Sequence, residues 1–270
     1  MIEGNIMGRV NETFRALRLK GEKALIPFIT AGDPDLVTTE KLIFVLEKNG
    51  ADLIELGVPF SDPMADGPTI QMASERSLAK GTNLKMIFQL VERIRTKTSI
   101  PIILMGYYNP FLMYNLKYLA HDAQRAGVDG ILTVDLPPEE AHEMKSHIKR
   151  VGLDMIFLLA PTSDDERIKL IVKNASGFIY YVSLTGVTGI RSKLAWDIRK
   201  QIEKIRRYTE LPIGVGFGIS NPLQAKVVAQ WADAVVIGSA IIKIMEESKN
   251  KTQMLRNVGQ FVFQIKRALK

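Results

Sequence analysis

Eight short apolar runs, each followed by a stretch of helical or turn character, are what most narrows the folds open to this chain. They fall at 24–30, 53–58, 102–107, 130–134, 154–159, 177–182, 212–216 and 234–237. Their residues are apolar on both alternating faces, as in parallel strands covered on both sides. Strand and helix in alternation imply a parallel sheet. An open doubly wound sheet is possible. Eight units in 270 residues favour the closed (β/α)8 barrel, which typically takes about 250 residues. No second composition regime, low-complexity tract or long linker interrupts the pattern, so a single barrel domain over 1–270 is expected. Extra helices are expected at both ends. Met7, Val10, Phe14 and Leu17 share a face near 7–20, and Met254, Leu255, Val258, Phe261, Val262 and Ile265 share one near 251–269. Further helices are expected near 37–48, 84–97 and 113–126, with Asn83 as an N-cap and Gly127 as a C-cap. Ser163 and Glu166 have the spacing of a capping box, and Pro137-Pro138 suit the first turn of the helix after strand four. Pro27 is the awkward residue, since it gives no donor to an internal ladder.

The second run carries a carboxylate, Glu55, in its middle. A buried carboxylate without a partner is costly, so it is paired or its pKa rises. A pKa near neutrality suits proton transfer in both directions. Glu55 therefore reads either as half of a structural ion pair or as a general acid and base. Pro59, Asp62-Pro63 and Asp66-Gly67-Pro68 then fold the chain into a tight loop. Asp62 reads as a turn residue. Asp66 is either a turn residue or a second carboxylate carried back over the strand end. In a barrel both carboxylates belong to the C-terminal ends of the strands, where active sites lie.

Gly216-Phe217-Gly218 follows strand seven, and Gly238-Ser239-Ala240 follows strand eight and opens a helix. Barrels bind phosphate with these two loops, because glycine lets backbone N–H groups approach an oxyanion at a helix N-terminus. A small phosphorylated substrate is thus expected, and it gives some of the net charge of +7 a use. Lys and Arg are otherwise spread over many helices without interleaved aromatics, so nucleic acid is not expected. His142 and His147 are five apart rather than the four of a zinc helix, and no metal is expected. The chain has no cysteine, which excludes thiol chemistry. No apolar run reaches the roughly 20 residues of a membrane span, and the N-terminus lacks the plan of a signal peptide. A cytoplasmic enzyme is the expectation. The glycine-bearing stretch 183–192 is an ordinary loop or a lid.

The contiguous stretch from Glu55 through Gly57, Pro59, Asp62 and Asp66 to Gly67 resembles the signature of the tryptophan synthase alpha chain family. Similar support comes from 27–34, from the end of strand three, from 180–189, and from the two glycine loops. The resemblance implies retro-aldol cleavage of indole-3-glycerol phosphate to indole and glyceraldehyde 3-phosphate. It implies Glu55 as general acid and base, and Asp66 as the carboxylate that holds the indole N–H. Phe28, Tyr107 and Tyr180 would wall the pocket. Thr188 would stand in the place of the lid threonine, next to Gly189, and Gly218, Gly238 and Ser239 would meet the phosphate. It implies no organic cofactor for this half-reaction. It also implies a beta-chain partner, which uses pyridoxal phosphate, in an alpha2-beta2 complex. The rivals are a stand-alone lyase, another phosphosugar barrel of aromatic amino-acid synthesis, and a non-catalytic subunit that only activates a partner.

Overall fold

The computed structural model describes residues 8–182, 191–216 and 218–270, with side chains from Ile198 onward in the helix that begins at Arg191. Eight parallel strands close into a barrel in chain order. They are β1 (Ala24–Thr30), β2 (Ile54–Gly57), β3 (Ile102–Gly106), β4 (Gly130–Thr133), β5 (Asp154–Leu159), β6 (Ile179–Val182), β7 (Ile213–Gly216) and β8 (Ala234–Ile237). The helices are α1 (Arg9–Lys20), α2 (Leu36–Lys48), α3 (Pro68–Leu78), α4 (Leu84–Arg95), α5 (Tyr108–Tyr114) and α6 (Leu116–Ala126). They continue as α7 (His142–Arg150), α8 (Asp165–Asn174), α9 (Arg191–Arg206), α10 (Pro222–Ala229), α11 (Ser239–Glu247) and α12 (Lys251–Ala268).

The apolar character of both strand faces has two destinations. Ala24, Ile26, Leu53, Ile103, Leu132, Ile156, Phe178 and Val236 point inward and fill the barrel. Leu25, Ile29, Leu56, Leu104, Ile131, Phe157, Val215 and Val235 point outward and pack on the helices. Val10, Phe14 and Leu17 of α1 join the inner cluster. The rings of Phe14 and Phe178 stand 5.8 Å apart. The N-terminal helix therefore plugs the bottom of the barrel. Met254, Val258, Val262 and Ile265 of α12 are buried in the outer layer, as their spacing predicts.

Pro27 is accommodated by register. It lies opposite Ile237 of β8, while the ladder with β2 begins only at Phe28, paired with Glu55. The missing donor falls where β1 and β2 are not yet laddered.

Four local expectations need correction. The helix expected near 113–126 is two helices. Asn115 takes φ 76° between them, and its side chain accepts from the backbone of Lys117 and Tyr118. Asn is among the few non-glycine residues that tolerate this conformation. Ser163 and Glu166 do not form a capping box. Asp164 is the N-cap of α8 and accepts from Arg167 N, whereas Ser163 Oγ takes the N–H of Ala160. Pro137 and Pro138 sit in turns, and α7 starts only at His142. Last, α3 was not anticipated between the loop and α4, although Pro68 at its first position suits a helix start.

Candidate active site

Glu55 lies in β2 between Phe28 of β1 and Ile103 of β3. Its side chain points into the barrel with the inner cluster's alternation and is 0% exposed. Neither carboxylate oxygen has a hydrogen-bond partner. No ion pair involves it among the described residues, so the structural-pair reading fails. Burial raises its pKa to about 8. The carboxyl is thus held mostly protonated at neutral pH, with the anion within reach.

Asp66 is placed by its loop. Met64 N donates to Asp62 O at 2.9 Å and Asp66 N to Pro63 O at 3.0 Å. Gln71, on the first turns of α3, donates to Asp66 O at 2.9 Å. The loop is also tied across the barrel mouth, where Ala65 N donates to the Tyr107 hydroxyl at 3.0 Å. That hydroxyl also lies near the Asp66 carboxylate and favours its charged form. Burial raises Asp66 to about 6 and the Tyr107 hydroxyl opposes the rise. Tyr107 is therefore more than a pocket wall: it is the link between the loop and the end of β3. The Tyr107 phenol is itself held up by burial and by the negative charge of Asp66.

A small pocket joins Asp66, Tyr107 and Phe28 with Thr30, Gly57, Ile70, Ser74, Met105 and Val134. Glycine at 57 is required here, because a Cβ would stand 2.5 Å from the Phe28 ring. Phe28 lies between Gly57 and Gly238. Tyr180 fills the opposite side of the interior and lies outside this pocket. A Cβ at Gly216 would collide with its hydroxyl. Burial raises the Tyr180 pKa, and the charges of Glu55 and Asp66 add to the rise.

The two glycine loops stand at the same end of the barrel. Gly218 takes φ 74°, a conformation that favours glycine. Gly238 is the N-cap of α11, and Ser239 is its first residue. The first N–H groups of a helix have no intrahelical acceptor. Thr188 and Gly189 lie outside the described residues. Sequence reasoning missed Thr30, Gln71 and Met105. Thr30 lay inside the stretch 27–34, but nothing in the residue pattern marked its hydroxyl.

The site thus offers a neutral acid in a buried interior, a carboxylate raised to about 6, and glycine-lined backbone at the same end of the barrel. The family model described as "Tryptophan synthase alpha chain" matches residues 14–270. A tryptophan synthase alpha chain of Geobacter sp. (strain M21) is 55% identical over 263 residues, covering 97% of this chain and 98% of the relative. That of Geotalea uraniireducens is 57% identical over 264 residues, covering 98% of each. The crystal structure of tryptophan synthase subunit alpha from Legionella pneumophila superposes with a TM-score of 0.91 at 38% identity, over 97% of this chain and 98% of that one.

Proposed function

The chain belongs to the tryptophan synthase alpha chain family, the carbon–carbon lyases of tryptophan biosynthesis that release indole from indole-3-glycerol phosphate, and we propose that Glu55 and Asp66 carry its chemistry. The observation that carries this reading is Glu55: a carboxyl fully buried, unpartnered and held near pKa 8, in the strand whose following loop carries Asp66, raised to about 6. Retro-aldol cleavage needs a proton delivered to the ring carbon that bears the side chain. It also needs a proton removed from the side-chain hydroxyl. Protonated Glu55 supplies the first and its carboxylate then takes the second, as the carbon–carbon bond breaks and the aldehyde forms. One residue can serve both steps when its pKa lies near the working pH. Positive charge develops on the indole nitrogen after the first step, and the Asp66 carboxylate stabilises it. Phe28 and Tyr107 border the ring, with Tyr180 behind the carboxylates. Gly218, Gly238 and Ser239 take the phosphate, and Thr188 and Gly189 are the further substrate contacts the family resemblance implies. A beta chain is the expected partner, in an alpha2-beta2 assembly.

The test is indole release across pH for wild type and Glu55→Gln. Wild type should show a bell, with the acid limb near 6 from Asp66 and the basic limb near 8 from Glu55. Glu55→Gln should lose turnover by about a thousandfold or more, since an amide cannot shuttle a proton. Near-normal turnover in this variant would remove Glu55 from the mechanism.

A further inference from the structure

Three side-chain polar atoms are buried without a hydrogen-bond partner among the described residues: the two carboxylate oxygens of Glu55 and the hydroxyl of Thr30. The first two belong to the mechanism above. The third has no account there. Thr30 ends β1 opposite Gly57 and is 2% exposed. It lines the same pocket as Asp66 and Tyr107.

A buried hydroxyl that bonds nothing is a net cost to folding. Valine has the same shape and suits a strand end as well. Packing alone therefore gives no reason for a hydroxyl at this position. The backbone does not use it either, for Thr30 meets Asp33 N through its carbonyl at 3.2 Å. The opposite residue, Gly57, has no side chain to offer. The pocket's other side chains are apolar except Asp66, Tyr107 and Ser74. The Tyr107 hydroxyl already accepts from Ala65 N and favours the charged form of Asp66. The acceptor with capacity to spare is the Asp66 carboxylate, which has two oxygens and several lone pairs.

We propose that Thr30 is a positioning residue of the cleavage reaction, its hydroxyl donating to the Asp66 carboxylate when the loop closes over substrate. Tyr107 then holds Asp66 from the β3 side and Thr30 holds it from the β1 side, leaving an oxygen aimed at the indole N–H. Two donors fix a carboxylate's rotation where one leaves it free to turn. They also favour its ionised form, which is the form the developing cation requires. The proposal rests on Asp66 being the catalytic carboxylate.

The experiment compares Thr30→Val, Thr30→Ser, Asp66→Asn and the double variant Thr30→Val/Asp66→Asn. The readouts are kcat, KM, the pH profile and thermal unfolding. Thr30→Val should lower kcat about tenfold, the usual scale for a lost hydrogen bond to a charged group. KM should stay within about twofold. The acid limb of the pH profile should move upward, because Asp66 loses a donor. The other titratable groups that feel its charge are Tyr107 and Tyr180, and neither is changed. Thr30→Ser should restore most of the rate. The melting temperature of Thr30→Val should equal or exceed that of wild type, which a structural hydroxyl would not allow. In the Asp66→Asn background Thr30→Val should cost little more, since its effect runs through Asp66. A wild-type kcat in Thr30→Val overturns the proposal. So does an unmoved acid limb, or a loss of rate that Thr30→Ser does not repair. Asp66→Asn with normal turnover would sink the catalytic reading itself, whatever Thr30 does. Inactive Asp66→Asn together with fully active Thr30→Val would sink the Thr30 proposal alone.

Discussion

A single residue, Glu55, sets the fold against the function it is expected to serve. Its pKa of about 8 lies far above the ordinary 4.5, and burial is the cause. The folded state therefore binds a proton that the unfolded chain has released. Between pH 4.5 and 8 the unfolded state gains by ionising and the folded state does not. Stability is fully present below the lower value and is lost as pH rises to the upper one. At pH 7 the loss amounts to roughly 3 kcal/mol. Gln cannot ionise, so Glu55→Gln lacks this slope while leaving a similar polar group in place. Its melting temperature should exceed that of wild type by a margin that widens from pH 5 to pH 8. Thermal unfolding at several pH values measures that margin. Parallel curves for the two proteins would mean that Glu55 titrates near its ordinary value when folded. Of this residue's situation the sequence carried half. A carboxylate inside an apolar run was visible, but whether Glu55 was paired depended on what Ile103 and Phe28 brought beside it across the barrel.

Strand ends show how the elements divide the labour. At the N-terminal end of the barrel, a polar residue just before each even strand accepts an N–H from the preceding odd strand. Asp52 takes Leu25 N at 2.7 Å, Asp129 takes Ile102 N at 2.8 Å, and Asp233 takes Ile213 N at 2.8 Å. Ser176 does the same for Met155 N at 2.9 Å. The aspartates are neutralised by Lys266, by Arg9 and Arg95, and by Arg206. Arg95 also donates to Gly127 O and Ile100 O, so it is fully engaged below the strands. Asp129→Ala would leave Arg95 buried without its counter-charge and should cost about 3 kcal/mol. Because Asp129 is at the end away from Asp66, kcat and KM should be unchanged at a temperature where the variant is folded. A change in kcat without a drop in stability would mean that this end of the barrel feeds the site. The strands and their order were legible from the runs themselves. The stitches were not, since nothing in the residue pattern tells which backbone N–H across the barrel Asp52, Asp129 or Asp233 will meet. The break at Asn115 was hidden for a similar reason. Its neighbours on both sides favour helix, and only the positive φ of one residue separates α5 from α6.

At the scale of the whole molecule, the stitched end of the barrel and the end that carries the Asp66 loop lie opposite one another. Glu55 is locked in a laddered strand, whereas Asp66 is held by a loop through Tyr107 and Gln71. Those are few bonds, and each can open without disturbing the barrel. The productive placement of Asp66 is then one of several loop states in the free chain, and turnover scales with its population. A partner that binds this state better shifts the population without adding a catalytic group. At the rim the loop presents an exposed apolar side chain, Met64, 86% exposed. A beta chain seated near this rim would restrain the loop directly. The expectation is slow indole release by the chain alone and a rise in kcat of about tenfold or more when a beta chain is bound. The basic limb of the pH profile should stay near 8, because Glu55 is walled off from the rim by the strands. The measurement is indole formation at saturating substrate, with and without a purified beta chain whose binding is verified separately. Equal rates would show that the free loop already holds Asp66 in place, and would make this chain a complete lyase by itself.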